Sequence, residues 1–155
     1  MTAPLRLCVH RSESNPASLP VSVDLRMPSL VAEVEAAVEL MARHCFAGQS
    51  PPPCARTAFR LRVALAEALA NAILRGNGED PSKTVVVRAQ LFVDSIRLSI
   101  EDEGGGFDLS RSAAPVLPDS LEDERGRGLF IISQLADQVE FNDRGNTIWM
   151  TLPRC

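Results

Sequence analysis

The amino-acid sequence predicts an α+β fold, a two-layer sandwich with helices on one face of a mixed, mostly antiparallel sheet. Runs that alternate apolar and polar residues recur at 21–27, 84–92, 95–101, 138–141 and 147–152, which is the period of half-buried strands. Four of these runs form two consecutive pairs joined by short turns, as antiparallel neighbours are. Helical periodicities separate the pairs, and helices that pack on a sheet need its other face left open or covered elsewhere. The chain has 155 residues, 45% of them apolar, which suits one domain with one core.

Residues 1–20 are rich in Pro, Ser and Asn, with one apolar alternation at Leu5–Val9. They read as an N-terminal arm or an edge strand, and residues 21–155 as the single folded domain. Val21–Met27 is the first strand of that domain. Pro28-Ser29 opens a helix with Ser29 as N-cap. Leu30, Val34, Val38 and Met41 share one face, and Glu33 and Glu35 sit where the helix dipole favours acids. After a breaker at 48–53, a second helix runs from about Ala55 to Arg75 and stops at Gly76-Asn-Gly78. Its stretch 63–74 is apolar almost all round, so this helix is expected at the centre of the layer. Strands at 84–92 and 95–101 turn at Val93-Asp94. Residues 108–123 are a long Pro-, Ser- and Asp-rich loop, of the kind that is usually functional. A short helix at 128–137 and a hairpin closed by Asn142-Asp-Arg-Gly-Asn146 complete the chain.

Composition narrows the function. Sixteen basic against twenty acidic residues leave a formal charge of −4, which disfavours direct nucleic-acid binding. The basic cluster at Arg56, Arg60 and Arg62 reads as a solvated face, and acids surround the second one, at Arg125 and Arg127. No secretory leader is legible and no apolar run approaches the ~20 residues of a membrane span, so a cytoplasmic protein without membrane contact is expected. Cys8, Cys45, Cys54 and Cys155 lack metal-ligand spacing and read as thiols in a reducing compartment.

Three segments carry chemistry. Glu67 and Asn71 are four apart on the second helix and therefore share a face. A carboxylate there needs a partner or a wet pocket. One reading is a structural contact with Arg60; the other is a polar pocket floor, with Asn71 offering an oxygen to Mg²⁺ and Glu67 acting on a hydroxyl. In the second segment, Asp102 precedes Gly104, Gly105 and Gly106 at a strand end. That is more glycine than a turn requires, and it allows close backbone approach. An aspartate so placed can accept a hydrogen bond from an exocyclic amine such as that of adenine. In the third, Arg125-Gly126-Arg127-Gly128 leads into a helix, where backbone amides and arginines favour phosphate. It is neither a Walker A loop nor a dinucleotide fingerprint.

These motifs, followed by the late strand Thr147-Ile-Trp-Met-Thr-Leu-Pro153, resemble the GHKL (Bergerat-fold) ATPase superfamily over residues 21–153. Within it they are most similar to the anti-sigma-factor serine-protein kinases of bacterial partner switching. The resemblance implies Glu67 as the base, Asn71 as the Mg²⁺ ligand, and Asp102 as the adenine contact in a pocket shaped by Gly104 and Gly106. It also implies Gly126 and Gly128, flanked by Arg125 and Arg127, beside the phosphates, Thr147 near adenine, and residues 108–125 as an ATP lid. Arg75 stands where relatives often carry an aromatic residue or His, and is placed with the nucleotide-binding residues. Asn146 stands where Gly or Thr is more usual. The implied activity is Mg-ATP-dependent phosphorylation of a serine on a STAS-domain anti-anti-sigma protein, with ADP as product and a sigma factor as the sequestered partner. Relatives tend to form homodimers. The alternative is a catalytically silent nucleotide-binding module that sequesters a regulatory partner. A sensor histidine kinase fits poorly, because neither His10 nor His44 lies on a further helical hairpin.

Overall fold

The computed structural model of the chain describes residues 5–10, 21–49, 52–105 and 124–155. Six strands form one sheet: β1 (Arg6–His10), β2 (Val21–Pro28), β3 (Thr84–Leu91), β4 (Ser95–Glu101), β5 (Gln138–Phe141) and β6 (Thr147–Pro153). Their spatial order is β1-β2-β3-β4-β6-β5, and every neighbouring pair is antiparallel. The expected mixed sheet is therefore wholly antiparallel among the described residues.

The register explains why one face is covered. Val9, Val23, Ala89, Leu98, Met150 and Val139 stand side by side across all six strands. All are buried or packed against the core. One residue along, the row is Cys8, Asp24, Arg88, Ser99, Trp149 and Glu140, a largely polar face. A period of two puts each row on one side of the sheet, so the helices must lie on the first.

Three helices do so: α1 (Val34–Phe46), α2 (Ala55–Asn71) and α3 (Glu124–Leu135). Helix α2 packs on both α1 and α3 and reaches β6. Its residues Leu61, Leu65 and Leu69 are fully buried, as its apolar sequence leads one to expect. Beyond Asn71 the helix widens into a π-helical turn, Ala72–Gly76, in which the Asn77 N–H donates to the Ala72 carbonyl five residues back (2.9 Å). Gly78, at φ +61°, then takes the left-handed position that ends a helix.

Several expectations need correction. Ser29 does not cap α1. It is buried, and its hydroxyl donates to the Lys83 carbonyl (2.8 Å), while a 3₁₀ turn, Val31–Glu33, leads into the helix. The hydroxyl is claimed by the β3 approach, so the cap is lost to a tertiary contact. Helix α3 begins four residues earlier than its apolar run implied, because Glu124–Arg127 are themselves helical. Arg60 donates to the Pro153 carbonyl (3.4 Å) rather than reaching Glu67. The ion pairs recorded among the described residues are Arg62–Glu39 and Arg88–Asp24.

The cysteines divide. Cys8 and Cys45 are free thiols, and burial pushes the Cys45 thiol up to about 12, which makes it inert. Cys54 and Cys155, in contrast, form a disulfide, with Cα atoms 6.4 Å apart and a sequence separation of 101. Neither has a nearby sequence partner, and only the approach of β6 to the start of α2 unites them. Thr57 lies beside both, its hydroxyl 3.2 Å from each sulfur. Cross-linking so long a segment restricts the unfolded chain, typically by roughly 2–4 kcal/mol of stability. A reductant, or Cys54→Ser, should therefore lower the melting temperature by several degrees. A melt unchanged by reductant would show that the pair is not bonded in solution.

Candidate functional site

Where the end of α2 meets the near ends of β4 and β6, the structure holds a cavity of about 220 Å³. Asn71 and Arg75 line it from α2 and the π-helical turn, Asp102 from the end of β4, and Thr147 from the start of β6. Ile100, Leu129, Phe141 and Ile148 supply an apolar wall. Four of the residues singled out in the sequence thus face one space. A concave space that pairs an apolar wall with convergent polar groups is a usual form of small-molecule site.

Asp102 is the most constrained of them. Its carboxylate packs against the backbone of Gly76: a Cβ added there would lie 2.3 Å from the Asp102 Cγ. A Cβ on Gly104 would lie 2.1 Å from the Gly76 carbonyl oxygen. These two glycines let the π-helical turn and the strand end touch, with the aspartate between them. The Gly104 N–H donates to the Asp102 carboxylate (2.8 Å). Burial pushes the Asp102 carboxyl above its ordinary range and the nearby Glu101 charge adds to the rise, while the Gly104 hydrogen bond and Lys83 oppose it. Desolvation prevails, as expected for a carboxylate in a partly dry pocket.

The backbone of Asp102 is held as firmly. Its N–H donates to the Asn146 carbonyl (2.9 Å), and the Asn146 carboxamide donates back to its carbonyl (3.3 Å). Asn146 is fixed in turn by Asn142, whose carboxamide donates to it (2.6 Å) and accepts from its N–H (3.0 Å). The residue noted only as a departure is therefore a clamp on the pocket's central acid. Gly76, Ile100 and Phe141 carried no motif of their own, and Asn142 was legible only within the hairpin turn. Gly76 was legible only as part of a helix stop.

Glu67 and Asn71 meet the third motif through Gly128. A Cβ on Gly128 would lie 3.0 Å from the Glu67 Oε2 and 3.3 Å from the Asn71 Nδ2. The glycine sits within the early turns of α3, so it serves close helix approach rather than amide presentation. The first N–H groups of any helix lack partners within it. For α3 these belong to Glu124, Arg125, Gly126 and Arg127, so phosphate-facing amides, where used, come from Gly126 and its neighbours. Arg127 is partly buried. Gly106 and almost all of the segment read as an ATP lid lie outside the described residues.

The residues fit a bound Mg²⁺ in one respect. Asn71 presents a carboxamide to the cavity, with Glu67 on the preceding turn. Mg²⁺ needs few protein oxygens and completes its shell with water and phosphate. Among the described residues, no cluster of three or more His, Cys, Asp or Glu offers an all-protein cage.

Two measurements follow from this packing. Gly76→Ala and Gly104→Ala should each cost about 1–3 kcal/mol by overpacking. Gly105→Ala, where an added Cβ meets nothing within 4 Å, should stay within about 0.5 kcal/mol of wild type; urea titrations decide between these. The raised Asp102 carboxyl also sets a sign. The native state keeps this proton to higher pH than the unfolded chain, whose carboxyl titrates near 3.8. Stability attributable to this group therefore falls as pH rises from 3.8 through the native value. Asp102→Asn, which cannot ionise, should melt higher than wild type at pH 7, and the gap should close as pH falls towards 3.8. A variant that melts lower at pH 7 would contradict this.

No helix among the described residues is long and apolar enough to cross a membrane. Serine-protein kinase RsbW of Bacillus subtilis (strain 168) is 33% identical over 98 residues, which cover 59% of this chain and 61% of that protein. The anti-sigma F factor of Clostridium perfringens (strain ATCC 13124) is 33% identical over 95 residues, covering 58% of this chain and 68% of its own. The chain thus spans about three fifths of the length of the kinase it matches. A sequence profile of the histidine kinase-like ATPase domain matches residues 27–152, from the end of β2 to the end of β6. That region contains the cavity, the half-buried aspartate and both glycine contacts, and by it this chain belongs to the histidine kinase-like ATPase domain family, of GHKL type.

Proposed function

We propose that this protein is an anti-sigma factor and ATP-dependent serine/threonine protein kinase. In this reading it transfers the γ-phosphoryl group of ATP to a serine of a STAS-domain anti-anti-sigma protein, and otherwise holds a sigma factor. The observation that carries the nucleotide part is the Asp102 carboxylate, half-buried in the cavity and backed by Gly76 and Gly104. An ionised carboxylate there is a hydrogen-bond acceptor facing an apolar wall of Ile100, Leu129, Phe141 and Ile148. A purine carrying an exocyclic amine satisfies both the acceptor and the apolar wall. The relatives named as a serine-protein kinase and an anti-sigma F factor support the partner class.

Phosphoryl transfer asks mainly for positioning and charge neutralisation. Asn71 would hold Mg²⁺, whose charge offsets that of the phosphate oxygens. The phosphates would lie at the start of α3, where Gly126 allows close backbone approach and Arg125 and Arg127 would add positive charge. Thr147 lies at the adenine end, and Arg75 at the cavity rim. Glu67, one turn before Asn71, takes the proton of the incoming serine hydroxyl as its oxygen bonds to the γ-phosphorus. The bond from that phosphorus to the bridging oxygen breaks, and ADP leaves with the electron pair.

Calorimetric titration with ADP and ATP, with and without Mg²⁺, tests the reading. Binding that strengthens with Mg²⁺ and is abolished in Asp102→Asn is the expected result. Glu67→Ala should keep nucleotide affinity within about threefold while transfer to the serine partner falls by at least about 100-fold, the usual weight of a general base. Wild-type protein that binds no nucleotide would overturn the proposal. An unaffected Glu67→Ala variant would remove the kinase step and leave the silent binding module.

A further inference from the structure

Asn77 lies just past the π-helical turn and outside the three motifs that carry chemistry, yet it is 2% exposed and its side chain joins three separate segments. Its carboxamide N–H donates to the Ser29 hydroxyl (2.7 Å) and to the Thr84 carbonyl (3.2 Å). Its carboxamide oxygen accepts from the Glu103 N–H (2.8 Å). Ser29 follows β2, Thr84 begins β3, and Glu103 is the residue after the pocket aspartate. The Glu103 carboxylate in turn accepts from the Thr84 N–H.

We infer that Asn77 is a positioning residue for purine selectivity: it holds the Glu103 amide so that the Asp102 carboxylate stays seated against Gly76 and aimed into the cavity. This deepens, and rests on, the reading of that cavity as an adenine-nucleotide site. The turn at 102–104 has two anchors. Asn146 grips Asp102 from the β6 side, and Asn77 grips Glu103 from the α2 side. With the second anchor gone, the turn can pivot on the first. The contact between Asp102 and Gly76 is too close to survive a shift of a few tenths of an ångström unaltered. Glu103 is itself exposed, so without the Asn77 oxygen its amide would turn to water for an acceptor and carry its neighbour with it. The two ends of the Asn77 side chain therefore have separable effects. The N–H end ties the turn to the scaffold through Ser29 and Thr84, and the oxygen end sets the aspartate.

The test is a ratio of affinities for ADP and inosine diphosphate, whose base carries an oxygen in place of the exocyclic amine. Wild type should prefer ADP by about tenfold or more, the weight of a charge-assisted hydrogen bond. Asn77→Ala should bring the preference below about threefold. Asn77→Asp keeps an oxygen for the Glu103 amide and should retain the preference, although its carboxylate faces the Thr84 carbonyl and the protein should melt lower. Ser29→Ala should likewise melt lower with the preference intact. Because the ratio is taken on one preparation, the folded fraction cancels, and a merely structural role would weaken both ligands alike. Should Asn77→Ala fail to fold, Asn77→Ser gives the same test, since its hydroxyl is too short to reach the Glu103 amide. A preference undiminished in Asn77→Ala or Asn77→Ser would overturn the inference and leave the nucleotide site standing. Wild type that binds neither ligand would overturn both.

Discussion

A carboxylate kept partly out of water is the constraint on which the rest of this structure depends. Asp102 loses solvation where it sits, enough to raise its carboxyl despite the Gly104 amide and Lys83. Such a group persists only where its surroundings are over-determined. Here they are. Two glycines remove the side chains that would displace it. Asn146 pairs with both backbone groups of Asp102, and Asn77 holds the next amide. Stability is given up at this point for a shaped acceptor, and the antiparallel core beneath supplies the margin.

The helix layer is arranged around the same point. Helix α2 is buried along Leu61, Leu65 and Leu69, which fixes its axis against the sheet. Its polar residues Glu67 and Asn71 are thereby directed to the side where α3 arrives. Gly128 brings the backbone of α3 to within van der Waals reach of both. The π-helical turn then redirects the chain so that Gly76 meets Asp102, and local widening of this kind is frequent where a helix carries function. Acid, carboxamide and glycine segments that lie far apart in the chain become one wall because three backbones approach closely at positions lacking a Cβ. At the opposite end of α2, the Cys54–Cys155 disulfide ties the helix start to the residues after β6, so both elements of the wall are joined at two ends.

Much of this was legible in the residues. The alternation at Val21–Met27, Thr84–Leu91 and Ser95–Glu101 marks strands because a sheet with one buried face must alternate. The apolar circumference of 63–74 marks a central helix for the same reason. Glu67, Asn71, Asp102, Gly104 and Gly128 stand out in the sequence as particular residue types at short spacing, and the fold brings them to one region. Ser29 was misread as a cap because its local context, after proline and before an apolar periodicity, is that of an N-cap; its hydroxyl bonds instead to Lys83, 54 positions away. The α3 start was misplaced because glycines signal a helix boundary locally, although here they permit packing.

What the sequence by itself determined is the set of elements, their apolar faces and the chemical groups of the site, since each follows from near-neighbour periodicity or from residue type. The tertiary structure alone decided which distant groups meet. Asn77 with Glu103 and Ser29, Asn146 with Asp102, and Cys54 with Cys155 are pairings of ordinary polar or thiol residues with no spacing rule between them. They arise from the antiparallel register, which lays the end of β4 beside the start of β6, and from the depth at which α2 is buried. Hydrogen bonds and disulfides of long sequence separation are consequences of that packing, so no local pattern records them.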